Sequence, residues 1–184
     1  MRTDLLAELR SAVARVEQRH LDRLQALGVE PPTIAAMGMA APPFGVVRAV
    51  EMGNGLYEPG EGPEHVALPV HADGALIDLV AFRTDRPSRW LLRSGIGWAL
   101  GSDQARIPDW DHEPLPVWRN PLNWLIAAGT GLCILDWDAP ELRNLLLVEA
   151  IEADRDIGRR LLDILSRPAR LPRLVSRRAV RNAA

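Results

Sequence analysis

The sequence predicts an α+β protein: an N-terminal amphipathic helix, a central antiparallel β-meander, a C-terminal helix-strand-helix-helix segment and an arginine-rich arm. Three observations carry that reading. Apolar residues recur at helical spacing up to Leu27, a middle stretch alternates in period two between turn dipeptides, and helical spacing returns after Asn120.

From Asp4 to Leu27 the apolar positions are Leu5, Leu6, Leu9, Val13, Val16, Leu21, Leu24 and Leu27, with Thr3 and Gly28 suited to the two ends. One helix of that span extends about 36 Å at 1.5 Å per residue. Its stripe either packs on this chain's own sheet or zips against a second copy to make a homodimer, although His20 interrupts the seam. Residues 31 to 43, bracketed by Pro31-Pro32 and Pro42-Pro43, read as an irregular connection.

The β region follows. Gly45 to Met52 is a candidate strand, Gly53-Asn54-Gly55 supplies turn residues, and Glu58 to Glu64, with Gly60 and Gly62, reads as a mobile loop. Val66, Leu68 and Val70 alternate on one face, and Asp73-Gly74 then turns the chain into Ala75 to Phe82, the clearest hairpin. Pro69 has no amide to donate, which places it at a sheet edge or a bulge. Trp90 to Arg93 and Gly97 to Leu100 are further short strands.

After a proline-bracketed acidic loop, Asn120-Pro121 opens a short helix to Ala128, and Leu132 to Leu135 has the character of a buried strand. Asp138-Ala139-Pro140-Glu141 matches a capping box, so a helix is expected from Ala139. The stripe of Leu142, Leu145 and Leu146 and that of Ile157, Leu161, Ile164 and Leu165 make two consecutive helices, or one kinked near Gly158.

Length bounds the organisation: 184 residues, 47% of them hydrophobic, suit one α+β domain over residues 1–168 with a basic arm over 169–184. No run reaches the ~18 apolar residues of a membrane helix, and Met1-Arg2-Thr3-Asp4 leads into charged helix, so a soluble cytoplasmic protein without membrane attachment is expected. The one cysteine, Cys133, lies in an apolar run and reads as a core thiol.

Charge is the most distinctive feature. All 22 basic residues are arginine. Residues 159–184 hold eight of them against one acid, Asp163, for a net +7, so the rest of the chain carries −9 beneath a formal total of −2. Arg170, Arg173, Arg177, Arg178 and Arg181 are therefore the candidate contact residues. They suit nucleic-acid phosphates, an acidic protein surface, including this chain's own body, or a solubilising tail.

One constellation suggests chemistry. Asp136-Trp137-Asp138 ends a buried strand, and two carboxylates two apart hold Mg²⁺ in several phosphoryl-transfer folds. A second triplet, Asp109-Trp110-Asp111, precedes His112 and Glu113. Against a metal role, Asp138 is already explained as a helix cap. Gly95-Ile96-Gly97 to Gly101 lacks the helix a dinucleotide fingerprint requires and reads as a turn between strands. The four histidines form no helical pair, and His65 and His71 stand roughly 20 Å apart along one strand. The six tryptophans lie between 90 and 137 and read as core, with Trp110 and Trp118 the exposed members.

The function expected is a non-enzymatic accessory or interaction protein that needs no cofactor and engages nucleic acid or an acidic partner through the arm. The alternative is a Mg²⁺-dependent enzyme on a phosphorylated or nucleotide substrate, with Asp136 and Asp138 as metal ligands.

Overall fold

Four antiparallel strands follow one another in space as in sequence: β1 (Gly45–Glu51), β2 (Tyr57–Ala72), β3 (Ala75–Arg83) and β4 (Arg86–Leu92). This is the expected meander. The computed structural model describes residues 4–39, 42–106 and 113–167. A second, smaller sheet has the order β5-β7-β6-β8, from β5 (Ala99–Leu100), β6 (Leu115–Trp118), β7 (Leu132–Ile134) and β8 (Ile151–Ala153). In it β6 runs parallel to both β7 and β8, whereas β5 is antiparallel to β7. The fold is α+β.

Alternation along the first sheet gives it two buried faces. Val66, Leu68, Val70, Val80, Phe82 and Leu92 join Leu24, Leu122, Leu125 and Cys133 in one core, while Val47, Ala67, Leu79, Ala81 and Leu91 pack with Leu9 in another. This explains the N-terminal segment. Instead of one long helix there are two, α1 (Leu5–Val13) and α2 (Gln18–Ala26), because Leu5, Leu9 and Val13 cover one face of the sheet while Val16, Leu21, Leu24 and Leu27 pack on the other. A straight helix cannot reach both. The break falls before His20, whose Nδ1 accepts the Glu17 amide at 2.9 Å and so starts α2. The stripe offered to a second copy is thus used within the chain. Asp4 caps α1, its carboxylate accepting the Ala7 amide at 3.0 Å, and Glu8 of α1 accepts from both Arg93 at 2.8 Å and Tyr57 at 3.2 Å.

Other local expectations are corrected. Pro31–Met37 is a short helix, α3, because Pro31 and Pro32 occupy its first turn, where a missing amide breaks no hydrogen bond. The segment 58–64 belongs to β2 and is not a separate loop, although the register jumps from Arg48↔Glu64 to Ala49↔Pro59, leaving residues 60–63 bulged out of the ladder. Pro69 lies inside a strand with neighbours on both sides, yet the β1 ladder ends at Gly45↔Ala67, so that stretch of β2 is locally an edge, and a bulge follows at Val70/His71. At the hairpin tip Asp73 and Gly74 both take positive φ, 52° and 73°, as a tight type I′ turn requires.

In the C-terminal half α4 (Pro121–Ile126) starts as expected, with the Asn120 side chain accepting the Asn123 amide at 2.9 Å. Pro140–Leu147 is a 3-10 helix instead of an α-helix, and its cap position is Ala139, without a side-chain bond, so Asp138 does not form the capping box. β8 separates this segment from α5 (Arg155–Leu165), which runs through Gly158 without a break.

One buried carboxylate joins the two sheets. Asp78, fully buried in β3, accepts the amides of Leu79, Arg93, Ser94, Ile96 and Gly97 at 2.8–3.1 Å. The glycine-rich segment after β4 is therefore wrapped around an anion of the protein's own, which fixes the path into β5.

Candidate functional site

The most chemically loaded surface among the described residues lies where the first sheet opens at one end. The β2/β3 ladder stops at Val66↔Phe82, so His65 and Arg83 are the first neighbours beyond it. On one side residues 60–63 bulge from β2, and on the other the register jump from Phe82↔Trp90 to Arg83↔Arg86 bulges residues 87–89 from β4. Gly62 makes the first bulge sterically feasible: a Cβ there would lie 1.7 Å from the Ala49 carbonyl oxygen.

Two depressions meet at this end and share Pro63, His65 and Arg83. The larger, about 410 Å³, lies on the α2 side, with Val46 and Val66 at its base and Arg19, Arg23 and Glu64 on its wall. The smaller, about 190 Å³, lies on the opposite face, over Ala49 and Leu91, and is ringed by Arg83, Arg86, Arg89 and Glu51. Three of the five arginines are neutralised. Arg19 holds Glu64 at 2.8 and 3.1 Å, Arg83 holds Asp85 at 2.7 and 2.9 Å, and Arg89 holds Glu51 at 2.7 and 2.8 Å. Arg23 and Arg86 have no carboxylate partner among the described residues. These pairings hold the carboxyls of Glu64 and Asp85 below their ordinary range, through hydrogen bonds from Arg19 and Arg83 respectively.

His65 lies between the depressions with 7% of its surface exposed. Its Nδ1 is 2.9 Å from the Pro63 carbonyl oxygen, so Nδ1 carries the proton and donates. Nε2 is left without a partner. No side-chain nitrogen among the described residues is both sealed from solvent and unbonded, so Nε2 faces the cleft. Burial pushes the imidazole's pKa down, against the Pro63 bond that supports its charged form.

The candidates read from sequence fall elsewhere. Arg170, Arg173, Arg177, Arg178 and Arg181 lie outside the described residues, as do Asp109, Trp110, Asp111 and His112. Asp136 and Asp138 sit in the turn after β7, which ends at Ile134, so they do not share a strand face; the Asp136 carboxylate instead accepts the Asp138 amide at 2.9 Å. Between them Trp137 lies under the guanidinium of Arg160, 4.2 Å from the ring centroid. Among the described residues no three His, Cys, Asp or Glu side chains gather to hold a metal ion. Cys133 is a fully buried core residue, Trp98 is buried, and Trp118 is half-buried with its indole donating to the Thr130 carbonyl at 2.7 Å. No described helix is long and apolar enough to cross a membrane.

Comparison with protein-family models, curated proteins and solved structures finds no match. Sequence reasoning missed the sheet-end cleft, whose one legible signal is Arg83, Arg86 and Arg89 within seven residues between two apolar strands.

Proposed function

We propose that this chain is a non-enzymatic interaction protein that engages nucleic acid through the phosphate contacts of Arg170, Arg173, Arg177, Arg178 and Arg181. The observation that carries this reading is charge segregation: +7 over residues 159–184 against −9 elsewhere. Arginine's planar fork suits phosphate oxygens bidentately and stays charged at any physiological pH. The described structure supports an external partner over self-docking, because many carboxylates of the body already hold its own arginines. Glu8 is paired with Arg93, Glu51 with Arg89, Glu64 with Arg19, Asp85 with Arg83, and Asp154 and Asp156 with Arg119. Ahead of the arm, α5 exposes Arg155, Arg159 and Arg160, extending the cationic surface back into ordered structure.

The test is fluorescence anisotropy with single-stranded and duplex DNA and RNA at two salt concentrations, on the full chain and on a chain truncated after Arg167. Five phosphate contacts predict an affinity loss of several hundredfold, roughly, between about 50 and 200 mM salt. Truncation removes the binding. Absence of binding to every polymer at low salt overturns the reading and leaves an acidic protein as the partner to seek.

A further inference from the structure

We propose that the cleft at the open end of the first sheet is a binding site for a small phosphate monoester, independent of the arm. Three features point to it, and each has a separate physical origin.

The first is charge. Arg83 and Arg89 each hold one carboxylate and Arg19 holds two, Glu17 and Glu64, whereas Arg23 of α2 and Arg86 at the start of β4 hold none, so five guanidiniums stand against four carboxylates. A chain with a formal net charge of −2 thus carries an excess of one positive charge at this end of the sheet, with one unpaired guanidinium in each depression, Arg86 in the smaller and Arg23 in the larger, which favours an anionic ligand. Arginines already fixed by a carboxylate add rigid N–H donors at the wall with little further side-chain ordering on binding.

The second is His65. A polar side chain with only 7% exposure has one ring nitrogen satisfied by the Pro63 carbonyl and the other turned to the cleft without a partner. Nε2 is open to the cleft, so a ligand oxygen can reach it and pair with it. Because Nδ1 keeps its bond to Pro63 in either charge state, Nε2 is the atom that gains a proton and donates it to the phosphate. The groups around His65 bear on that equilibrium from every side. Arg83 ends β3, Asp85 lies in the β3/β4 turn, Glu51 ends β1, and Glu64 belongs to β2 itself. Arg19, His20 and Arg23 face it from α2, and Arg86 and Arg89 from β4.

The third is shape. The smaller depression, about 190 Å³, is ringed by Arg83, Arg86 and Arg89 and suits the phosphate; the larger, about 410 Å³, has Val46 and Val66 beneath it and room for the organic part.

The experiment follows the His65 imidazole by NMR in the full ¹⁵N-labelled chain, assigned with His65→Gln, during titration with inorganic phosphate, ribose 5-phosphate and ribose. The proposal expects saturable shifts with both phosphates and none with ribose, and tighter binding of ribose 5-phosphate. Bound phosphate raises the His65 titration midpoint by about one pH unit, equivalent to a tenfold preference for the protonated ring. Arg86→Gln, at an exposed position on the smaller depression, weakens binding of both phosphates about tenfold, whereas Arg119→Gln beside the second sheet does not. A chain with Arg170, Arg173, Arg177, Arg178 and Arg181 all changed to Gln keeps the His65 response, which separates this site from nucleic-acid binding by the arm. An unmoved His65 signal at millimolar phosphate overturns the proposal. So does an undiminished response in the Arg23→Gln, Arg86→Gln double variant, or loss of the response with the arm arginines. Equal affinity for inorganic phosphate and ribose 5-phosphate overturns the role given to the larger depression.

Discussion

The Asp78 carboxylate lies 3.0 Å from the backbone amide of Gly97, nineteen residues further along the chain. That bond and four like it hold the segment between the sheets, so the orientation of β5 relative to the meander rests on one buried anion. Asp78→Ala removes an acceptor from five amides, of which that of Arg93 keeps a second bond, to the Leu79 carbonyl at 2.9 Å. We expect a loss of at least about 3 kcal/mol, read as a lower urea midpoint. Asp78→Asn restores only part of it, since its NH₂ group faces donors.

Gly62→Ala tests the bulge. A methyl group there meets the Ala49 carbonyl at 1.7 Å, a contact that no rotamer change relieves, because both partners are fixed by backbone. The bulge must move, with an expected cost of about 2–4 kcal/mol and a matching fall in Tm. Gly60→Ala, whose Cβ would lie 3.0 Å from the Val50 side chain, is the milder comparison and loses less.

His65 couples stability to pH. Its folded pKa lies below the ordinary 6.5 because burial disfavours the imidazolium. The unfolded chain therefore takes up the proton first as pH falls. Stability is intact above about pH 6.5 and declines below it until the folded value is passed. Urea unfolding of the wild type and His65→Gln on either side of that window checks the sign: the difference in slope should appear only on the acid side.

Cys133 should be silent. Full burial raises its thiol pKa far above the ordinary range, so neither thiolate nor access is present in the native state. Reaction with a thiol reagent should then track global unfolding, rising with urea along the same curve as tryptophan fluorescence. Rapid labelling in buffer would show that β7 opens locally.

Glu8 ties α1 to the sheet through Arg93 and Tyr57 in a largely buried cluster. Removing one partner strands the other, so Glu8→Ala should cost about 3 kcal/mol or more, and Arg93→Ala a similar amount. A double-mutant cycle measures the coupling.

Where local chemistry alone decides conformation, the sequence was enough. Asp73-Gly74 supplies the two positive φ values of its turn, Asn120-Pro121 carries both a cap and a preset first helical residue, and alternation from Val66 to Val70 marks a strand. Phosphate contact by the arm remains a reading of composition, since those arginines lie outside the described residues.

What tertiary structure decided is what depends on partners distant in the chain. The split of the first helix follows from two faces of one sheet needing cover, and the three-residue β8 exists only because β6 lies parallel beside it. A lone aspartate within an apolar strand hinted at a special role for Asp78, but its five donors come together only on folding. At the sheet-end cleft His65 of β2 borders both the depression walled by Arg23 of α2 and the one ringed by Arg86 of β4, an arrangement set by ladder register and two bulges. Composition and spacing state which groups a chain carries. Which of them come to line one cleft is set by long-range packing, and the proposed phosphate site rests on that packing.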